Sequence, residues 1–209
     1  KTTETFHQGV EKLPHASSLI LDPGGQERVC QYWTPEFDAR DEGLSFSTSV
    51  GLARQALIES VRLRLRSDVP LAFCMSGGVD SNVLIGIALN HFKHDIHGFT
   101  IMNSDKRYEE AEMLEAALAG FNVKHTQVQV EHSNFLTKLN DLVRHHDEPV
   151  CTISYYAHAL LMERMHDAGY KVSVSGSGAD ELFSGYYDHH NAYLSCVKGD
   201  ADLYSTSID

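Results

Sequence analysis

The chain has 209 residues, 42% hydrophobic and 22% charged, enough to bury the core of one α/β domain. A formal net charge of -12 with scattered lysines and arginines argues against a nucleic-acid surface, which needs a basic stripe. Four widely spaced cysteines with no Cys-x-x-Cys argue against a zinc ribbon or a thioredoxin-like pair. No apolar run is long enough to span a bilayer and no signal peptide is visible, so the chain reads as cytoplasmic.

In chain order, residues 1–35 read as β structure. Ser18–Asp22 and Arg28–Trp33 are strands around a Pro23-Gly24-Gly25 turn, giving a hairpin that must pack on something else. Residues 36–47 are polar and turn-rich and read as a linker. From residue 48 the pattern turns helical, with Val50, Ala53, Leu57, Val61 and Leu65 at three- and four-residue spacing. Arg62, Arg64 and Arg66 read as the outer face of that helix end.

Strands and helices then alternate. Val69–Met75 is a strand and Val79–His91 a helix. Ile96–Met102 is a strand and Tyr108–Ala119 a helix with Ala111, Leu114 and Leu118 inward. Val123–Val130 is a strand, followed by a helix over Ser133–His146 capped by Ser133. Ser154–Ala168 is a helix closed by Gly169, and Lys171–Ser175 is a further strand. This alternation predicts a doubly wound, mainly parallel sheet that binds ligands beyond the carboxyl ends of its strands. Cys74 and Cys151, in apolar surroundings, read as packed thiols. The chain does not open on Met and the tail Asp200–Asp209 carries no stop signal, so a piece of a longer protein is expected.

Two glycine turns carry the chemistry. Ser76-Gly77-Gly78-Val79-Asp80-Ser81 follows the apolar strand Leu71–Met75 and opens a helix. Adjacent glycines let the backbone approach an anion. Consecutive N–H groups at a helix start attract negative charge, and Ser76 and Ser81 can add hydroxyl donors. Asp80 would repel a bare phosphate, which suggests Mg²⁺ between carboxylate and phosphate. The loop is no Walker A, since Gly-x-x-x-x-Gly-Lys-Ser/Thr is absent from the chain. It resembles the pyrophosphate loop of the N-type ATP pyrophosphatases, Ser-Gly-Gly-x-Asp-Ser. The second turn, Ser175-Gly176-Ser177-Gly178-Ala179-Asp180-Glu181, repeats the strand, turn and helix start.

Together, residues 76–81 and 175–186, about one hundred residues apart, resemble the synthetase domain of glutamine-dependent asparagine synthetases. Arg66-Ser67-Asp68-Val69-Pro70 resembles that family's approach to its loop. Residues 4–33 resemble the closing strands of its N-terminal glutaminase domain. The resemblance implies a Rossmann-like fold of the adenine nucleotide alpha hydrolase type over residues 48–209, incomplete at its C-terminus, behind a glutaminase hairpin remnant. It also implies an ATP-dependent amidotransferase. ATP adenylates a carboxylate, such as aspartate or a sugar uronic acid, and releases pyrophosphate. Glutamine-derived ammonia then displaces AMP. By position, Met75, Ile101, Ser175 and Gly176 would line adenosine and the α-phosphate. Ser76, Gly77, Gly78, Asp80 and Ser81 would hold the pyrophosphate, and Asp80 and Asp180 would bind Mg²⁺. Met75 and Ile101 also read as core strand residues, making contact through backbone. Glu181 reads either as a group assisting catalysis or as a helix-start carboxylate. Relatives often pair, so a homodimer is implied.

Two departures stand out. The family usually has Glu or Asp where this chain has Ser177, and serine cannot accept a proton near neutral pH without an adjacent base. No N-terminal Cys and no later helical part of the synthetase domain are present. The alternatives are another pyrophosphate-loop enzyme, such as a sulfur transferase or NAD synthetase, and an inactive or regulatory nucleotide-binding homologue. The adjacent pairs His145-His146 and His189-His190 point to different helix faces and read as surface polar residues.

Overall fold

The computed structural model describes residues 3–36, 43–102, 111–130 and 133–208. A two-stranded antiparallel hairpin comes first, β1 (Ser17–Leu21) and β2 (Glu27–Gln31), in register from Ser17 opposite Gln31 to Leu21 opposite Glu27. Its turn is held by Asp22 Oδ1, which accepts from the Gly24 and Gln26 N–H groups at 2.9 Å each. Gly25 sits at φ +82°, a conformation natural to glycine. Leu19, Ile20, Leu21, Val29, Tyr32 and Trp33 stay exposed. The segment before the hairpin reaches the rest of the chain through His7 Nε2–H donating to the Asp147 carbonyl at 2.7 Å, and through a Lys12–Glu148 pair at 3.4 Å.

Helix α1 (Phe46–Arg64) starts ahead of residue 48 because Ser45 caps it, its side chain accepting from the Thr48 N–H at 3.2 Å. Near its end Arg62 holds Glu59 through two bonds of 2.6 Å on the exposed face. Four parallel strands follow: β3 (Leu71–Cys74), β4 (His97–Met102), β5 (Lys124–Gln129) and β6 (Val172–Val174), in spatial order β5-β4-β3-β6. Helices α2 (Val79–Phe92) and α3 (Ala111–Phe121) join them on one side, α4 (Phe135–His146) and α5 (Ser154–Asp167) on the other. The expected start of α3 at Tyr108 and the Ala111 side chain lie outside the described residues.

The period-2 alternation of β3 sorts the core. Leu71, Phe73 and Met75 pack with Val61, Ile85, Ala88 and Leu114 of α1, α2 and α3. Ala72, with Phe99 and Val128, faces Tyr156, Leu160, Leu161 and Met165 of α5. The chain steps outward from β3 to β4 and β5, then returns past β3 to β6. With one handedness for every crossover, reversing direction along the sheet puts the connecting helices on the opposite face. That is where α4 and α5 lie, so the doubly wound sheet expected from the sequence is present. Inside it, His97 sits between the Tyr170 hydroxyl, 3.0 Å from Nδ1, and Thr126 Oγ1, 2.8 Å from Nε2. Burial, with Lys124 and His125 nearby, pushes its pKa down.

Two local expectations are corrected. Helix α4 begins behind Asn134 rather than Ser133, and no side chain caps it. Phe135 instead anchors its first turn, 4.9 Å edge-on from the Tyr156 ring. Cys151 is exposed rather than packed, because it precedes α5 in a surface connection. Cys74 is half-buried, and burial pushes its thiol pKa up. Beyond the short helix α6 (Ala179–Phe183), the tail forms α7 (Tyr187–Val197) and α8 (Ala201–Ile208). Gly169 closes α5 as expected, at φ +88° with its N–H on the His166 carbonyl at 2.8 Å. Among the described residues no helix is long and apolar enough to cross a membrane.

Candidate functional site

Strands β3 and β6 are neighbours, yet the chain leaves β3 toward one edge of the sheet and reaches β6 from the other. Loops that diverge this way open a crevice at the strand carboxyl ends. The loops in question are residues 76–81 and 175–180.

The first loop is tied internally. Ser76 Oγ accepts from the Gly78 N–H at 3.1 Å and lies 3.0 Å from Ser81 Oγ. The Ser76 N–H donates to Ser81 Oγ at 3.3 Å, and that hydroxyl donates to the Gly78 carbonyl at 3.2 Å. Asn82 clamps the turn, its Nδ2 donating to the Ser76 and Gly78 carbonyls at 3.1 and 2.8 Å. The serine hydroxyls, expected as anion donors, thus shape the loop. What faces the cleft from α2 is its N-terminal end, where backbone N–H groups attract anions.

The second loop lies directly against the first. A Cβ built on Gly176 would stand 2.9 Å from Asp80 Cβ and 3.0 Å from the Ser81 nitrogen. Only glycine permits that approach. Ser175 Oγ donates to Ser177 Oγ at 2.9 Å and accepts from the Ser177 N–H at 3.1 Å. Gly178, at φ +94°, turns the chain into α6 and brings Asp180 to the cleft. The Asp180 side chain packs on Gly185, leaving no room there for a Cβ.

Between the loops lies a cleft of about 480 Å³. Met75, Ser76, Gly77, Gly78, Asp80, Ser81, Ile101, Ser175, Gly176 and Asp180 all line it, so the structure brings together every candidate residue but one. The exception is Glu181, which is exposed and outside the cleft. It accepts from the Tyr186 hydroxyl at 2.7 Å, and this bond holds its carboxyl below the usual range. Met75 gives the cleft no spare backbone donor. Its N–H donates to the Phe99 carbonyl at 2.8 Å, and its carbonyl accepts from Thr100 Oγ1 at 2.6 Å. Thr100 Oγ1 in turn lies 2.8 Å from His125 Nε2, which must be the donor because the threonine proton is already used.

Among the lining residues that sequence reasoning passed over are Thr100, Met102, His158 and Leu161. Helical periodicity shows Leu161 as core but cannot show that His158, three residues earlier, comes to the crevice. His189 stays outside the cleft, its ring 5.2 Å edge-on to Tyr186, and His145 and His146 are exposed. Two carboxylates in a phosphate-sized cleft suit Mg²⁺, which takes one or two protein carboxylates and completes its shell with substrate phosphate and water.

The asparagine synthase family model matches residues 52–202. The chain is 28% identical to "Amidase chyE" of Penicillium rubens over 204 residues, covering 88% of this chain and 30% of that protein. It is 25% identical to the glutamine-hydrolyzing asparagine synthetase 1 of Bacillus subtilis over 185 residues, covering 87% of this chain and 28% of that protein. The chain therefore spans less than a third of these relatives' length. Among solved structures it is similar to an NH3-dependent NAD synthetase from Campylobacter jejuni, with TM-score 0.40 and 17% identity over 69% of this chain and 62% of that one.

Proposed function

This chain belongs to the asparagine synthase family, and from that premise we propose that its cleft binds ATP with Mg²⁺, adenylates a small-molecule carboxylate and transfers ammonia to it. The observation that carries the reading is the contact of the two glycine loops at Gly176, which sets Asp80 and Asp180 on one cleft. A phosphate chain laid there meets the N-terminal end of α2, and its reacting end lies toward the second loop. Held in that position, the α-phosphate and the substrate carboxylate meet in line, and positioning of this kind supplies much of the rate.

In this reading Asp80 and Asp180 hold the cation, which when bound neutralises charge on the departing pyrophosphate. The N–H groups at the start of α2 share that charge without reorganising, because Ser76, Ser81 and Asn82 already fix the turn. Thr100 and Met75 close the cleft floor, and Ile101 and Leu161 give apolar wall to the base and substrate. Glutamine as the ammonia source, pairing of subunits and a cytoplasmic site of action are part of the same proposal and concern the whole protein.

The test uses the full-length protein. AMP and pyrophosphate release from Mg-ATP is measured across amino-acid and uronic-acid carboxylates, with Asp80→Ala as control. Acceptor-dependent release that the substitution abolishes supports adenylation and identifies the acceptor class. ATP binding with no pyrophosphate from any acceptor would instead favour a nucleotide-binding homologue without turnover, the reading that Ser177 motivates.

A further inference from the structure

Ammonia attack on an acyl-adenylate leaves a proton that some group in the cleft must accept. Resting on the reading above, we propose that this group is the His158 imidazole. Helix α5 brings the chain back to the start of β6, so it runs against the strands and its first turns lie at their carboxyl edge. His158 stands in those turns, three residues before Leu161, and both line the cleft. The ring is exposed and makes no hydrogen bond or ion pair with another described residue.

The other titratable or hydroxylic groups on the cleft are unsuited. Ser177 Oγ accepts from the Ser175 hydroxyl, and among the described residues no base is hydrogen-bonded to it to draw off its own proton. Burial keeps the Cys74 thiol protonated. Asp80 and Asp180 line the cleft from the two glycine loops, and on the reading above both are committed to the cation. Glu181 is outside and occupied by Tyr186. A neutral imidazole carries an unprotonated ring nitrogen that can accept a proton, which suits it to this transfer.

The step balances as follows. The ammonia lone pair forms the new C–N bond, and an unprotonated ring nitrogen of His158 takes one proton from the attacking nitrogen. The carbonyl re-forms as the C–O bond to AMP breaks, and AMP leaves with that electron pair. Amide, AMP and an imidazolium remain, and the imidazolium returns its proton to solvent.

The experiment separates the two half-reactions in the full-length protein. Carboxylate-dependent exchange of pyrophosphate into ATP reads adenylation. Amide formation with ammonium chloride as nitrogen source reads the second step. Both use the acceptor that releases most pyrophosphate in the panel. His158→Ala is expected to lower amide formation by about 10²- to 10⁴-fold, the usual contribution of a general base, with exchange within roughly threefold of the parent. His158→Gln, polar and of similar reach but without a basic nitrogen, is expected to lose as much. Retained amide formation in either variant overturns the assignment, as does parallel loss of exchange and synthesis. An unsubstituted protein with no carboxylate-dependent exchange sinks the underlying reading, and this proposal with it.

Discussion

Replacing Gly176 by alanine puts one methyl group into the contact between the two loops. The new carbon would sit 2.9 Å from Asp80 Cβ, 3.0 Å from the Ser81 nitrogen and 3.2 Å from the Asp80 carbonyl carbon. Carbon atoms pack best at about 3.5–4.0 Å, so the loops must part by roughly 0.6–1 Å. The obstacle includes backbone at the start of α2, which cannot swing aside as a flexible side chain would. Overpacking of this kind costs about 1–3 kcal/mol. For a chain of this size that is a fall in Tm of roughly 2–12 °C. Displacing catalytic groups by about 1 Å can cost on the order of 10²-fold in rate, so exchange activity should fall much further than stability does. Gly120→Ala is the matched control, since a Cβ there meets nothing within 4 Å and the residue is inside α3. It should stabilise by up to about 1 kcal/mol. Thermal unfolding and pyrophosphate exchange on both variants decide the matter. If Gly176→Ala melts and exchanges like the parent, the loops are not in tight contact and the reasoning fails.

Thr100→Val keeps the side-chain shape but leaves the Met75 carbonyl and His125 Nε2 unpaired, and should cost about 1–3 kcal/mol in denaturant unfolding. Asn82→Ala removes both clamps on the first loop and should raise KM for ATP more than it lowers the melting temperature. His97 and His125 both have their pKa pushed below the ordinary histidine value, chiefly by burial. Below about pH 6.5 the unfolded chain therefore binds protons that the folded chain refuses, and stability falls. Denaturant midpoints should be level above that pH and drop toward pH 5. A His97→Gln variant should show a shallower drop.

The parts of this molecule readable in advance were those governed by short-range rules. Val50, Ala53, Leu57 and Val61 mark a helix because their spacing follows its period, and the turn at 76–78 is marked because glycine and serine tolerate it. The crevice itself was legible from two strand-to-glycine junctions. His158 was not, because its place at the rim depends on which way α5 runs over the sheet, and helical spacing says nothing of direction. Glu181 looked like a candidate because it adjoins Asp180, but successive residues on a helix diverge by about 100°. That rotation sends one carboxylate into the cleft and the other out to Tyr186. The Asn134 start of α4 escaped notice because side-chain packing at Phe135, rather than a capping hydroxyl, defines it.

The pairing of β3 with β6 joins Leu71 to Val172, across α2, β4, α3, β5, α4 and α5, whereas β3–β4 and β4–β5 each close over a single helix. Long closures come late in folding, after local ones have reduced the entropy to be lost. As a ribosome delivers this chain, β3, α2, β4 and β5 can assemble while residue 172 is still unmade. The crevice has only one wall until then. On the proposed reading, nucleotide affinity is then a timer for this molecule: a chain stalled before β6 would carry a complete first glycine loop and be expected not to hold ATP.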